Sequence, residues 1–148
     1  MVRADRMDEL DRVFWKLVRH LRQRLDAILE EGATAGIWML LQALWPAPLR
    51  MRDLAAALQV RQSTATATVD RGIAGGWVER LHDPKDRRTI WVRLTKRGEQ
   101  LLTRLEKEKR AVYQEYMQVL NETEQDQLLV LLTRIVERVE KIEEKEDV

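Results

Sequence analysis

The chain contains no cysteine, which excludes disulfides, thiolate metal sites and thiol-based oxidation sensing and fits a reducing compartment. The cytoplasm is the expected location. Histidine is almost as scarce. His20 and His82 lie far apart, in no ligand spacing such as H-E-x-x-H, so neither a metal site nor a cofactor is expected. Catalysis lacks its usual parts, because the hydroxyl residues cluster without a neighbouring histidine and no glycine-rich phosphate loop is visible; the chain does not read as an enzyme. Long apolar runs are missing too. The longest, Ile37 to Trp45, is interrupted by Gln42 and is too short to span a bilayer, while Arg3, Asp5 and Arg6 charge the N-terminus, so neither export nor membrane insertion is expected.

A large net charge is also absent: 26 Lys or Arg stand against 25 Asp or Glu. The total hides a polarised distribution. Residues 48–100 hold 11 basic against 6 acidic side chains, a balance of +5, whereas residues 121–148 hold 4 against 9, a balance of −5. The middle of the chain therefore suits phosphate and the acidic end does not. The length of 148 residues suits a single domain with a proper core.

From Met7 to Ile28, Leu10, Phe14, Leu17, Leu21, Leu25 and Ile28 recur every three or four residues, which predicts an amphipathic helix broken at Gly32. Thr34 can cap a second helix, Ile37 to Trp45, apolar almost all round and so expected at the centre of the core. Pro46 and Pro48 end it, and a short helix follows from Met51 to Leu58. The stretch Ser63 to Val69 alternates β-branched and small residues and fits a strand by propensity. The shared face of Ala65, Val69 and Ile73, with Gly75-Gly76 as a terminator, favours a helix instead. That helix places Gln62, Ser63, Thr64, Thr66 and Thr68 near its N-terminal half and Arg71 further along, a polar face of short side chains.

Trp77, Val78 and Leu81 supply an incoming strand, Asp83-Pro84 a reversal, and Ile90, Val92 and Leu94 the inward face of a returning strand with Trp91 and Arg93 outward. Lys85, Arg87 and Arg88 fall at the tip of this hairpin. Thr95 can then cap a long helix to about Leu120. Asn121 and Glu124 form a capping box for a last helix whose Leu128, Leu132, Ile135, Val139 and Ile142 follow 4, 3, 4, 3 spacing. The expected class is mainly α with a small β-wing, a winged helix-turn-helix over 33–98 flanked by helices at 7–31 and 100–146 suited to dimerisation. Leu10, Phe14, Leu17, Leu128, Leu132, Ile135 and Val139 are the expected dimer contacts.

At Asp53-Leu54-Ala55, Ser63-Thr64, Val69-Asp70-Arg71, Gly76-Trp77-Val78-Glu79-Arg80, Asp83-Pro84-Lys85-Asp86-Arg87-Arg88 and Leu94-Thr95-Lys96-Arg97-Gly98 the chain resembles the multiple antibiotic resistance regulator (MarR) family of transcription factors. The resemblance runs from about residue 36 to 102; the flanking helices match only in placement and amphipathic character. It implies a homodimer on double-stranded DNA, most simply a repressor on a pseudo-palindromic operator, with residues 61–74 in the major groove and the wing in the minor groove. Arg88 matches the wing-tip arginine, and Asp86 the acidic partner that orients it. Gln62, Ser63, Thr64, Thr66, Thr68, Arg71, Lys85, Asp86, Arg87 and Arg88 are the expected DNA-binding residues. Ala67 stands where the family often has a long polar or basic side chain, and Gly72 where an apolar core residue is usual.

Many relatives are released from DNA by small aromatic acids. Trp15, Arg19, Trp38 and Trp45 are the candidate pocket for such an aromatic or anionic effector, although the tryptophans fit a structural core better. Two other readings stay open: a winged-helix protein-interaction module, and a sequence-indifferent architectural DNA binder.

Overall fold

The structure, a computed structural model, describes residues 2–29 and 32–146. It contains α1 (Val2–Ala27), α2 (Ala35–Leu44), β1 (Leu49–Arg50), α3 (Met51–Leu58), α4 (Gln62–Ala74), β2 (Val78–His82), β3 (Ile90–Leu94), α5 (Lys96–Met117) and α6 (Glu122–Glu146). Residues 30 and 31 of the expected first flanking helix lie outside the described residues. Where the sequence reads as one domain, the chain groups into two compact units, residues 1–110 and 111–148. No helix among the described residues is long and apolar enough to cross a membrane.

In the first unit α2 is the central element. Thr34 caps it, its hydroxyl accepting the Ile37 N–H at 3.3 Å, and Ile37, Leu40 and Leu41 are fully buried with Leu54, Val69, Val92 and Leu105. Each such side chain contributes roughly 1.5–3 kcal/mol by leaving water. Burial of α2 is not complete, however: Met39 is 49% and Trp45 58% exposed. Their apolar character does not report core position, because a helix with neighbours on part of its circumference leaves a flank open.

The α3–α4 pair is joined by a tight turn in which Gln59 takes a left-handed conformation (φ 53°) as the cap of α3. Residues 62–74 form a helix and not a strand, since Ala65, Thr68, Val69 and Gly72 turn inward together at helical spacing. Ile73, expected on this inner face, sits at its margin, about one third exposed.

The wing is a three-stranded sheet in the order β1-β3-β2, one strand more than the expected hairpin. β1 pairs antiparallel with β3 through Leu49↔Val92 and Arg50↔Trp91, and β2 pairs with β3 from Val78↔Leu94 to His82↔Ile90. β3 alternates as expected, with Val92 buried and Arg93 exposed, although Trp91 on the outward face is half-buried. Trp77 precedes β2 instead of opening it and lies in the core, 3% exposed.

In the second unit Asn121 and Glu124 form the expected capping box. The Asn121 side chain accepts the Glu124 N–H at 3.0 Å, and the Glu124 carboxylate accepts the Asn121 N–H at 2.9 Å. Along α6, Leu132, Ile135, Val139 and Ile142 are exposed in the single chain.

Candidate nucleic-acid interface

Gln62, Ser63, Thr64, Thr66 and Arg71 are exposed on α4. Thr68 is not with them. It is 7% exposed, and its hydroxyl donates to the Thr64 carbonyl at 2.9 Å. One turn of helix beyond Ala65 and beside Val69, it faces the core, so it drops out of the surface that α4 offers to a duplex. The Thr66 hydroxyl is likewise spent on its own helix, donating to the Gln62 carbonyl at 3.0 Å. With its hydroxyl turned back, Thr66 leaves a methyl beside that of exposed Ala67, a surface able to meet thymine methyl groups but short of donors. No side chain caps the N-terminus of α4, where Arg61 makes no capping bond. The first N–H groups of the helix are therefore open to an oxygen ligand such as phosphate.

Gly72 has a packing reason. A Cβ there would approach Val78 Cγ2 to 2.8 Å and Leu40 Cδ2 to 3.3 Å, so the missing side chain is what lets α4 close on β2 and α2. The two elements are also bridged at the surface, where Arg80 Nη2 donates to Asp70 Oδ1 at 2.6 Å.

The wing tip is ordered by its own hydrogen bonds. Asp83 N–H donates to the Thr89 carbonyl and Thr89 N–H to the Asp86 carbonyl, both at 3.0 Å, and His82 Nδ1 lies 3.2 Å from the Arg87 carbonyl oxygen. Asp86 accepts the Arg88 backbone N–H at 3.0 Å. Asp86, expected as the acidic partner that orients Arg88, thus meets its main chain, at the point where the arginine departs. Among the described residues no ion pair involves Lys85, Arg87 or Arg88, and all three side chains are exposed.

Sequence reasoning passed over Asp83, which it read as a turn former, together with its partners. The Asp83 carboxylate accepts the Trp91 indole N–H at 2.9 Å and the Lys85 N–H at 2.8 Å. The Trp91 bond, then the backbone bonds and nearby Arg50, hold the Asp83 carboxyl below the usual carboxylate range. Only the Asp-Pro pair marks this turn in the sequence; the indole partner, eight residues on, has no local signal.

The four expected pocket residues do not converge. Trp15 is 59% exposed, packed edge-on against Phe14, and neither it nor Arg19 lines a main cleft. Trp38 borders a cleft of about 400 Å³ with Leu21, Leu25, Met39 and Lys109. Trp45 borders another of about 570 Å³ with Leu102, Lys107 and Arg110. Gln42 lines both. Between them Glu106 Oε1 accepts from Trp38 Nε1 and Gln42 Nε2, each at 2.8 Å, and Glu106 Oε2 pairs with Lys109 at 2.5 Å. Burial pushes the Glu106 carboxyl up, but the bonds from Lys109, Trp38 and Gln42 outweigh it and leave the group lowered and charged. Trp38 is thus a bonded core residue as well as a cleft wall. No cluster of three potential metal ligands occurs among the described residues.

The sequence profile of the MarR family matches residues 38–89, from within α2 to the end of the wing tip. Over those residues, about a third of its length, the chain matches the MarR family. It is a transcriptional regulator of the winged-helix kind. The helix-turn-helix regulator YpoP of Bacillus subtilis is 23% identical over 135 residues, which cover 90% of this chain and 96% of that protein. The fold agrees with that of YusO from Bacillus subtilis, with a TM-score of 0.77 at 21% identity over 90% of this chain and 96% of the other. BpsR of Bordetella bronchiseptica, whose DNA binding is regulated by 6-hydroxynicotinic acid, aligns over 83% of this chain and 98% of its own, at 26% identity and a TM-score of 0.62. The span matched to the MarR family holds both the exposed face of α4 and the wing-tip cations.

Proposed function

We propose that this MarR-family regulator is a cytoplasmic homodimer that reads a pseudo-palindromic operator and represses by occupying it. Each α4 enters a major groove and each wing an adjacent minor groove, with half-sites about one helical turn apart. The observation that carries this reading is the wing tip, where exposed and unpaired Lys85, Arg87 and Arg88 stand on a turn held rigid by hydrogen bonds. A guanidinium suits a narrow, electronegative minor groove because it is always charged and weakly hydrated. From α4, Gln62, Ser63, Thr64, Thr66 and Arg71 complete the contact set; Thr68 supports the helix from inside.

The test is a gel shift on the DNA upstream of the protein's own gene. Arg88→Ala is expected to weaken binding about tenfold to a hundredfold, the range of 1–3 kcal/mol for a specific contact. Unchanged binding removes the wing contact. No shift by either protein favours a protein-interaction role, and equal affinity for random duplex leaves an architectural binder.

Dimerisation is supported by apolar stripes exposed on each unit: Leu10, Phe14 and Leu17 on α1, and Leu132, Ile135 and Val139 on α6, with Leu128 half-buried. Monomers rarely leave such contiguous apolar surface in water. Sedimentation is expected to find a dimer, and Leu132→Asp to weaken it about a hundredfold, since an unpaired carboxylate would be buried in the interface. A parent protein that sediments as one chain at micromolar concentration overturns the dimer.

Release by a small effector is supported by the two clefts, each with an aromatic wall and cationic residues: Trp38 with Arg22 and Lys109, and Trp45 with Lys107 and Arg110. Arg22 and Lys109 are paired with Asp26 and Glu106, so the Trp45 cleft, where Lys107 and Arg110 outnumber Glu106, is the one that fits an aromatic anion, and BpsR offers a relative regulated by one.

A further inference from the structure

The wing tip carries its cations on seven residues, 83–89, between β2 and β3. A loop that length would ordinarily be ordered only on binding, at a cost in affinity. Here main-chain bonds and Asp86 order it from within, and the Asp83 carboxylate ties it to the sheet. Asp83 Oδ1 accepts the N–H groups of Lys85 at 2.8 Å and Asp86 at 3.3 Å, closing the turn from which Arg87 and Arg88 leave. Its other oxygen, Oδ2, accepts the Trp91 indole N–H at 2.9 Å. Trp91 in turn pairs across β3 with Arg50, whose guanidinium lies 5.1 Å from the centroid of its ring. Arg50 is the residue immediately before α3, at its N-terminal boundary, where its side chain makes no capping bond. An unbroken line of contacts therefore runs from the start of the helix-turn-helix, through a stacked cation and an indole, to the main chain of the tip.

We infer that Arg50, Trp91 and Asp83 form a strut that fixes the height and direction of the wing tip over the duplex, making Asp83 and Trp91 positioning residues for DNA binding. The inference rests on the reading of the wing as a DNA contact. Each oxygen of Asp83 has a separate task, so the tasks can be separated by mutation. Asp83→Ser keeps an oxygen for the turn and loses the indole. Trp91→Phe keeps an aromatic ring under Arg50 and loses the N–H donor together with the smaller ring of the indole. Because both break one and the same bond, their effects should not add.

The experiment measures affinity for a duplex bound by the parent protein, using Asp83→Ser, Trp91→Phe and their double variant, each with Arg87 and Arg88 intact and with both replaced by alanine. With the arginines present, each single change is expected to weaken binding about tenfold through the cost of re-ordering the tip, and the double variant to be no weaker than either. With the arginines gone, the strut changes should cost nothing further, a silence that a general loss of stability would not produce. Among the indole N–H resonances of the five tryptophans, Asp83→Ser should displace that of Trp91. The strut is overturned if Trp91→Phe binds like the parent, if the losses add, or if they persist without the arginines. If removing the arginines alone leaves affinity unchanged, the wing contact itself fails and the strut falls with it.

Discussion

Gly98→Ala is expected to cost about 3 kcal/mol or more of folding stability, seen as a lower midpoint in urea with an unchanged slope. A Cβ at Gly98 would lie 2.0 Å from the Trp77 carbonyl oxygen and 2.9 Å from its carbonyl carbon. These are backbone atoms, and neither side of the contact is free to move. Trp77 is buried, and its N–H is tied to the Gly72 carbonyl at 3.0 Å. On the other side Thr95 locks the first turn of α5: its N–H donates to the Trp77 carbonyl at 3.0 Å, its hydroxyl to the Gly76 carbonyl at 2.6 Å, and it accepts the Gly98 N–H at 3.1 Å. Alanine would gain about 1 kcal/mol in helix propensity, far less than forcing the wing off α5. Gly72→Ala serves as the control, because the nearest atom there is a side-chain methyl at 2.8 Å and a smaller loss of about 1 kcal/mol is expected. A Gly98→Ala protein as stable as the parent would show that the wing and α5 are not locked backbone to backbone.

The same contact marks the limit of what the sequence could tell. Gly98 belongs to the run by which the chain resembles its family, yet nothing in Leu94 to Gly98 says that the glycine meets Trp77. Features carried by local chemistry were legible: the caps Thr34, Thr95 and Asn121 with Glu124, and the alternation of β3. α4 was legible against its own strand propensity because Ala65 and Val69 share a face, but the rest of that face was not. Its other inward residues are Thr68 and Gly72, a hydroxyl and a bare Cα, which no hydrophobic pattern reports. β1 escaped because two residues carry no periodicity. Within the wing the residue types were readable and their partners were not: Asp83 bonds an indole eight residues away, and Asp86 bonds the backbone of Arg88. Trp15, Trp38 and Trp45 seemed one aromatic group on paper, but the turn of the helices separates an exposed Trp15 from two tryptophans lining different clefts.

Binding to the operator is expected to fall about 10³ to 10⁵-fold between 50 and 200 mM salt, if a dimer neutralises roughly 6 to 10 phosphates and releases their counterions. The overall charge of +1 gives no hint of this. In the proposed complex a duplex meets residues 48–100, with their balance of +5, and within them the wing-tip cations, which make no ion pair among the described residues. Asp70, Glu79 and Asp83 are already engaged, the first two by Arg80 and Arg93 at 2.6 Å and the third by Trp91. The charges of Asp70 and Glu79 are thereby offset by their arginine partners, which leaves the balance of +5 unchanged, whereas the neutral indole leaves Asp83 charged. Removing Arg87 or Lys85, each present twice in the proposed dimer, should lower the slope of log affinity against log salt by about 2 and weaken all sequences alike. Arg88→Ala should instead weaken the operator more than random duplex, because the minor-groove width it senses depends on sequence. Titrations at several salt concentrations on both duplexes separate the two roles. A response that stays flat from 50 to 200 mM on either DNA would mean that the cations of residues 48–100 do not lie against phosphate, whatever partner they serve.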